Sequence, residues 1–98
     1  MENNYWIVDD WLIFKPEFND ELDEYYDIIN KYKKIMFDKF NQEINLSNNI
    51  NLTHLTFGYK FNQEIDLSNN INLTYLQLGY YFNQEINLLN NINLTYLF

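Results

Sequence analysis

The chain has 98 residues, 47% of them apolar and 19% aromatic, which supports one small folded domain and argues against disorder. Its net charge of −8 at pH 7 argues against binding to nucleic acid or to an anionic membrane surface, because both need clustered basic side chains. The chain has no cysteine, so it has neither disulfide bonds nor a thiolate metal site.

The first predicted elements are two short strands joined by a turn. Tyr5–Val8 is a short apolar run that predicts a strand, and Asp9 with Asp10 predicts the turn after it. The segment WLIFKPEFN (residues 11–19) matches HLTFGYKFN (residues 54–62) in its key apolar places. We therefore expect its first four residues to form a strand like those of the later repeats.

A divergent copy of the same pattern follows and predicts a helix. The segment FNDEL echoes FNQEI, and YKKIMF echoes LTHLTF. Asn19 or Asp20 can cap a helix here, acidic residues fill its first turn and lysines lie at its end. Its apolar face has the spacing i, i+3, i+4 and comprises Leu22, Tyr25, Tyr26, Ile29 and Tyr32. We expect residues 1–39 to form an N-terminal cap made of degenerate repeats.

Residues 40–98 consist of three nearly identical repeats. The segment Phe-Asn-Gln-Glu-Ile begins at Phe40, Phe61 and Phe82, so the period is 21 residues and the copies span residues 40–60, 61–81 and 82–98. A fixed period in the twenties is typical of one coil of a solenoid. We expect the apolar positions of each repeat to be buried; in the first repeat these are Phe40, Ile44, Leu46, Ile50, Leu52, Leu55 and Phe57.

Each repeat contains one predicted strand. The segment LTHLTF has the L-x-x-L-x-L form of a leucine-rich-repeat strand, and a glycine follows the strand at Gly58 and Gly79, where the chain must turn sharply. The central strand residues are separated by 23, 20, 21 and 21 positions; they are Leu12, Ile35, Leu55, Leu76 and Leu97. This spacing predicts five parallel strands in sequence order.

The predicted fold class is therefore a leucine-rich-repeat-like solenoid of the α/β type. We expect a short right-handed stack of coils with one parallel sheet and a helix-containing N-terminal cap.

Three columns of asparagine recur with the same period. The columns are Asn48, Asn69 and Asn90; Asn49, Asn70 and Asn91; and Asn51, Asn72 and Asn93. When coils stack at the strand spacing of about 4.8 Å, side-chain amides can bond along a column and to turn backbone. We interpret these asparagines as structural.

The repeated segment FNQEI…LTHLTFG resembles the FNIP repeat, a leucine-rich-like repeat named for its Phe-Asn-x-Pro segment. The similarity covers residues 40–98 strongly and residues 11–39 weakly, with glutamate in place of the usual proline. Such repeats are typical of social amoebae and of giant DNA viruses of amoebae. The resemblance implies a protein-binding repeat without known catalysis, located in the host cytoplasm if the protein is viral.

Few side chains are candidates for catalysis or metal binding. His54, the only histidine, has no serine or cysteine partner at a recognisable spacing, and tyrosines occupy its place in the later repeats. We interpret it as a surface residue and assign no catalytic or cofactor-binding residue. The column of Glu43, Glu64 and Glu85 predicts a solvated turn, with a bridging cation such as Ca²⁺ as the alternative.

The outward positions of the predicted strands form two columns, which we call the strand face. The first column contains Trp11, Lys34, His54, Tyr75 and Tyr96. The second column contains Ile13, Met36, Thr56, Gln77 and Phe98. Aromatic residues and methionine with few charges are typical of the centre of a protein interface. The alternative interpretation is that aromatic stacking across strands only stiffens the sheet.

We therefore predict a non-enzymatic module that binds a protein partner through the strand face. The alternative is a structural subunit that assembles with itself. Phe98 falls in the middle of a repeat, so the C-terminal repeat is expected to present an uncapped strand and to form a two-fold homodimer. The alternative is a truncated family member whose third repeat is frayed. The acidic start lacks the charge pattern of a signal peptide and no apolar stretch reaches membrane-spanning length, which predicts a cytoplasmic protein that is not secreted.

Overall fold

Six strands form one sheet, and their order in the sheet is their order in the chain, in a computed structural model that describes residues 3–98. The strands are β1 (Tyr5–Val8), β2 (Trp11–Phe14), β3 (Lys34–Met36), β4 (His54–Thr56), β5 (Tyr75–Gln77) and β6 (Tyr96–Leu97). One helical turn, α1 (Tyr26–Ile29), lies between β2 and β3, and the remaining described residues form turns and irregular segments.

The pairing of β2 to β6 confirms the prediction of five parallel strands in sequence order. Leu12 pairs with Ile35, and the register continues through Leu55, Leu76 and Leu97 without a slip. β1 adds a sixth strand that runs antiparallel to β2, and Asp9, with a positive φ of 55°, lies in the turn between them. The strand predicted at Tyr5–Val8 and its turn are therefore both present.

The core lies on one side of the sheet and is built from leucine, isoleucine and phenylalanine. The central residues of β2 to β5 are fully buried, whereas Leu97 in β6 is 54% exposed because no described strand covers it. A series of stacked phenylalanine rings runs through the core. Phe40 and Phe61 stack with ring centres 6.3 Å apart, and Phe61 and Phe82 with centres 6.1 Å apart. Equivalent residues of successive repeats therefore pack directly on one another.

Three apolar positions that the repeat pattern predicts to be buried are exposed instead. Ile50, Ile71 and Ile92 are 58%, 51% and 84% exposed. Each follows an asparagine whose side chain points into the protein and is almost completely buried, at Asn49, Asn70 and Asn91. Because the turn directs the asparagine inward to bond with backbone carbonyls, the next side chain faces solvent.

The asparagine columns bond to backbone, as the sequence predicts. Asn70 Nδ2 donates to the carbonyl oxygens of Leu46 (3.0 Å) and Asn49 (2.9 Å), both in the preceding repeat. Asn91 repeats this pattern one repeat later, and Asn49 donates to carbonyls of the segment before β3. In the two outer columns the amides of Asn69, Asn72, Asn90 and Asn93 likewise donate to the preceding repeat.

A fourth ladder, which the sequence analysis missed, runs through the first asparagine of each FNQEI segment. The backbone N–H of Asn62 donates to Asn41 Oδ1 (2.9 Å), and that of Asn83 to Asn62 Oδ1 (2.8 Å). The following glutamine, Gln63 or Gln84, donates its Nε2 to the same asparagine of the preceding repeat. These contacts explain why the Asn-Gln pair recurs in each repeat.

The helix predicted over residues 22–32 is wrong, because α1 contains only four residues. Tyr25 N–H donates to the Leu22 carbonyl (2.8 Å) and Tyr32 N–H to the Ile29 carbonyl (3.3 Å), so turns with bonds three residues back flank α1 on both sides. The helix-containing cap is therefore absent from the described residues.

The predicted capping side chain has another role. Asn19 Oδ1 accepts a bond from the backbone N–H of Asn41 (2.7 Å), which makes Asn19 the first member of the fourth ladder and removes it from helix capping. The ring of Tyr25 packs edge-on against Phe14 and Phe18, with centres 5.7 and 5.1 Å apart. Contacts with the core thus override the helical spacing of the apolar residues.

The two glycines mark a close approach between neighbouring segments. A Cβ at Gly58 would overlap the carbonyl group of Asp38, and a Cβ at Gly79 would overlap the carbonyl group of Gly58. Gly79 also has a φ of +90°, a conformation that side-chain-bearing residues rarely adopt. The turn after β4 therefore requires glycine because of the close contact at Gly58. The turn after β5 requires glycine both for the close contact at Gly79 and for its positive φ.

No helix among residues 3–98 is long and apolar enough to cross a membrane.

Candidate interaction surface

The structure brings nine of the ten strand-face residues into two straight columns. The first column runs from β2 to β6 through the paired residues Trp11, Lys34, His54, Tyr75 and Tyr96. The second runs from β2 to β5 through Ile13, Met36, Thr56 and Gln77. Their common orientation follows from the alternation of side chains along a strand, since the residue between the two columns is in the core.

Phe98, the tenth residue, lies just beyond β6 but keeps the same pairing. Its N–H donates to the Leu76 carbonyl (3.0 Å) and its carbonyl accepts from Leu78 N–H (2.9 Å), which places it beside Gln77. Its side chain is 72% exposed. The second column therefore extends to Phe98, although the last residue is outside the strand.

Aromatic side chains stack along the first column. The rings of Tyr75 and Tyr96 are parallel within 2°, with centres 4.3 Å apart, and His54 stacks on Tyr75 at 5.6 Å. Trp11 meets the edge of His54 at 5.8 Å. These contacts hold the rings in fixed orientations, so the column is a preformed surface whose binding would not require ordering of mobile side chains.

The single cation in the columns is neutralised by a neighbouring carboxylate. Lys34 Nζ lies 3.1 Å from Asp10 Oδ2, and it also lies 6.0 Å from the ring centre of Trp11. The hydrogen bond from Lys34 holds the pKa of Asp10 below its usual range. The strand face therefore carries almost no net charge, in contrast to the acidic protein as a whole.

The environment of His54 favours the neutral form of its imidazole. Partial burial lowers the pKa of its imidazole, and the positive charge of Lys34 lowers it further, against a smaller opposite effect of Asp10. Its Nδ1 lies 2.9 Å from the hydroxyl of Thr53, and its ring is in contact with Trp11 and Tyr75. Its neighbours are those of a stacked surface residue.

A shallow groove of about 620 Å³ runs beside the two columns. It is lined by residues of both columns together with Phe37, Asp38, Phe57 and Gly58. The backbones of Asp38 and Gly58, which approach each other closely, lie at this groove. The groove is thus an aromatic and polar depression.

β1 extends the strand face by two residues that the sequence analysis missed. Trp6 pairs with Ile13 and Val8 pairs with Trp11, so both side chains lie on the same side of the sheet as the columns. They are 48% and 50% exposed. Side chains alternate between the two sides of a strand, so an antiparallel pairing of Tyr5–Val8 with β2 would have predicted that Trp6 and Val8 belong to the strand face.

The glutamate column is solvent-exposed. Glu43, Glu64 and Glu85 are exposed and line a wide groove on another surface. Within residues 3–98, no three or more histidine, cysteine, aspartate or glutamate side chains converge in a way that could hold a metal ion. The exposure of the three glutamates agrees with the predicted solvated turn.

Comparison of the chain with protein-family models, with curated proteins and with solved structures finds no match.

Proposed function

We propose that the protein is a short leucine-rich-repeat-like solenoid of the FNIP type that binds a protein partner through its strand face, without catalysis and in the cytoplasm. The observation that carries this proposal is the first column, which runs from β2 to β6. Its aromatic rings are stacked and partly exposed, and the ion pair of Lys34 with Asp10 leaves it with almost no net charge. Rigid aromatic side chains are frequent energetic anchors of protein interfaces.

The repeat arrangement supports the solenoid interpretation. Each 21-residue repeat contributes one strand, one inward asparagine and one stacked phenylalanine, and equivalent residues of neighbouring repeats contact each other. One repeat alone buries too few side chains to offset its conformational entropy, so the repeats stabilise each other. The columns of the strand face are a direct product of this stacking.

The test separates binding from folding by means of two matched double variants. Tyr75→Ala with Tyr96→Ala removes the stacked pair from the strand face, whereas Ile71→Ala with Ile92→Ala removes two exposed apolar side chains elsewhere. Proteins captured from host-cell lysate by the wild type would be identified, purified and titrated against all three forms by calorimetry.

We expect the tyrosine variant to weaken binding at least tenfold and the isoleucine variant to bind like the wild type. Both variants should retain the circular dichroism spectrum and most of the stability of the wild type. Equal binding by the tyrosine variant and the wild type would contradict the assignment of the strand face. Loss of folding in the tyrosine variant would support the alternative, in which the stacked rings stiffen the sheet.

A further inference from the structure

The outer edge of β1 has the composition of a pairing strand. Among the described residues β1 pairs only with β2, so its other edge is open. Its four residues are Tyr5, Trp6, Ile7 and Val8, and the last three are 48%, 48% and 50% exposed. Edge strands of natural proteins usually contain lysine, proline or a bulge that hinders pairing with another chain. β1 has none of these, and its register with β2 is continuous.

The backbone groups that point to this open edge can be identified. In an antiparallel pair, hydrogen-bonded and non-hydrogen-bonded positions alternate. The bond from Lys15 N–H to the Asn4 carbonyl (2.9 Å) fixes the phase, so even-numbered residues direct their backbone groups to β2. The N–H and C=O groups of Tyr5 and Ile7 therefore point away from β2, toward the open edge.

We propose that β1 pairs antiparallel with β1 of a second copy of this chain. Only backbone groups that point outward can form the new bonds, so Tyr5 of each copy faces Ile7 of the other and four hydrogen bonds result. Trp6 then lies on the two-fold axis opposite its own equivalent, at a non-hydrogen-bonded position where side chains approach most closely.

Other registers would form fewer hydrogen bonds between the backbone groups of the two β1 strands. If Ile7 faced its own equivalent, Tyr5 would fall opposite Asp9, which has a positive φ and belongs to the turn. If Tyr5 faced its own equivalent, Ile7 would fall opposite Asn3, before the strand begins. The register centred on Trp6 is the one in which both outward residues of β1 pair within the strand.

The charges at the two ends of β1 favour a second copy over an unrelated apolar strand. Asp9 follows the strand at one end, and the next residue, Asp10, is already paired with Lys34. Lys15 lies at the other end, bonded to Asn4, with its Nζ 5.7 Å from the ring centre of Trp6. Antiparallel pairing brings the acidic end of each copy to the lysine end of the other, and symmetry makes this match occur twice.

The absence of cysteine in the chain allows a register-specific test by cross-linking. In Trp6→Cys the two thiols would face each other across about 4.5 Å between Cα atoms, within the range of a disulfide. In Ile7→Cys, which alters an equally exposed residue of the same strand, the thiols would be offset by two residues, roughly 7 Å along the strand, and could not bridge. Mild oxidation followed by non-reducing electrophoresis measures the linked fraction.

We expect rapid disulfide-linked dimer formation by Trp6→Cys and little by Ile7→Cys. Sedimentation of the wild type at physiological ionic strength, where repulsion between two chains of charge −8 is screened, should show the 12.1 kDa mass doubling with rising concentration. Ile7→Lys should remain monomeric, whereas Ile71→Lys, a change at a 51% exposed residue outside β1, should dimerise like the wild type.

Two results would overturn the proposal. One is a wild type that stays monomeric up to high micromolar concentration. The other is cross-linking of Trp6→Cys that is no faster than that of Ile7→Cys. Neither experiment uses a protein partner, so its outcome is independent of the proposed binding function of the strand face.

Discussion

At the scale of single residues, the inward asparagines have the most demanding environment. Asn70 is fully buried, its amide nitrogen donates to two carbonyls, and its Oδ1 has no hydrogen-bond partner. The two accepting carbonyls also accept backbone bonds, from Asn49 N–H and Leu52 N–H. The side chain therefore adds a second bond to carbonyls that are already paired.

This arrangement predicts a moderate loss of stability for Asn70→Ala, about 1–3 kcal/mol in the free energy of unfolding. Asn72→Ala is the matched control, because Asn72 is exposed and makes one bond to the Ile50 carbonyl (3.0 Å). We expect the control to lose less than about 1 kcal/mol. Urea denaturation measures both values, and equal losses would contradict the structural role of the inward column.

His54 makes stability depend on pH. Its pKa is lowered in the folded protein, chiefly by burial, so below the unfolded value of about 6.5 the unfolded chain binds more protons than the folded one. The stabilising contribution of the neutral imidazole is therefore complete above that value. It decreases as the pH falls from 6.5 toward the lowered pKa.

We expect the wild type to lose more stability than His54→Tyr between pH 7.5 and 5.5, because the variant carries the residue found at this place in the next two repeats. Urea unfolding of both proteins across this pH range isolates the histidine from the carboxylates, which both proteins share. Identical pH profiles would show that His54 has the same pKa in the folded and unfolded states.

The residue scale also shows why part of the burial pattern could not be predicted. The repeat pattern predicts that both Ile50 and Leu52 are buried, yet Ile50 is exposed and Leu52 is completely buried. The difference depends on which way the turn directs Asn49, and this is decided by carbonyls in another repeat. Hydropathy alone contains no information about those acceptors.

At the scale of elements, the glycine turns after β4 and β5 allow neighbouring segments to approach closely. Gly79→Ala would combine a positive φ with overlap of its Cβ and the Gly58 carbonyl. The conformation alone costs about 1–3 kcal/mol, and the overlap adds to it. Thermal and urea unfolding measure the loss. Tyr80→Ala, at the adjacent residue that is 85% exposed, should change stability by less than about 0.5 kcal/mol.

The strands could be predicted from sequence, whereas the helix could not. Leu55 and Leu76 belong to repeats of fixed length, so their pairing follows from the period alone. The segment around Tyr25 has helical spacing, but the ring of Tyr25 packs against Phe14 and Phe18, which lie outside the segment's own turns. A spacing of three and four residues fits an irregular segment around a core as well as it fits a helix, and length and tertiary contacts decide between them.

At the scale of the whole molecule, we expect the repeats to behave as interchangeable units. Deletion of residues 61–81 would join Lys60 to Phe82, which takes the place of Phe61 and meets the same kind of neighbours. We expect this variant to fold cooperatively, with lower stability and an m-value reduced by roughly a fifth, in proportion to the lost chain length.

Deletion of residues 61–70, which removes about half a repeat, is the matched control for deletion of residues 61–81. It shifts every later residue out of phase, so that asparagines and core leucines no longer meet their acceptors and contacts. We expect it to abolish the cooperative unfolding transition. If both deletions unfolded the protein equally, the repeats would not be the units of stability.

The candidate strand face was predictable in its position but not in its extent. Constant repeat length places Tyr75 beside Tyr96, so the columns follow from the sequence. Trp6 depends on an antiparallel hairpin whose register is set by the backbone of β1 and β2, and the repeats contain no copy of it. The role of the face in binding remains a prediction.

Among residues 40–98, the side-chain bonds between repeats run in one direction, from the later repeat to the earlier one. Asn70, Gln63 and Thr74 donate to groups that precede them by about one repeat, and the equivalent residues of the other repeats do the same. During synthesis from the N-terminus, the acceptors of each repeat therefore leave the ribosome before its donors. For these side-chain bonds, the order of translation therefore matches the order in which the acceptors of each repeat become available.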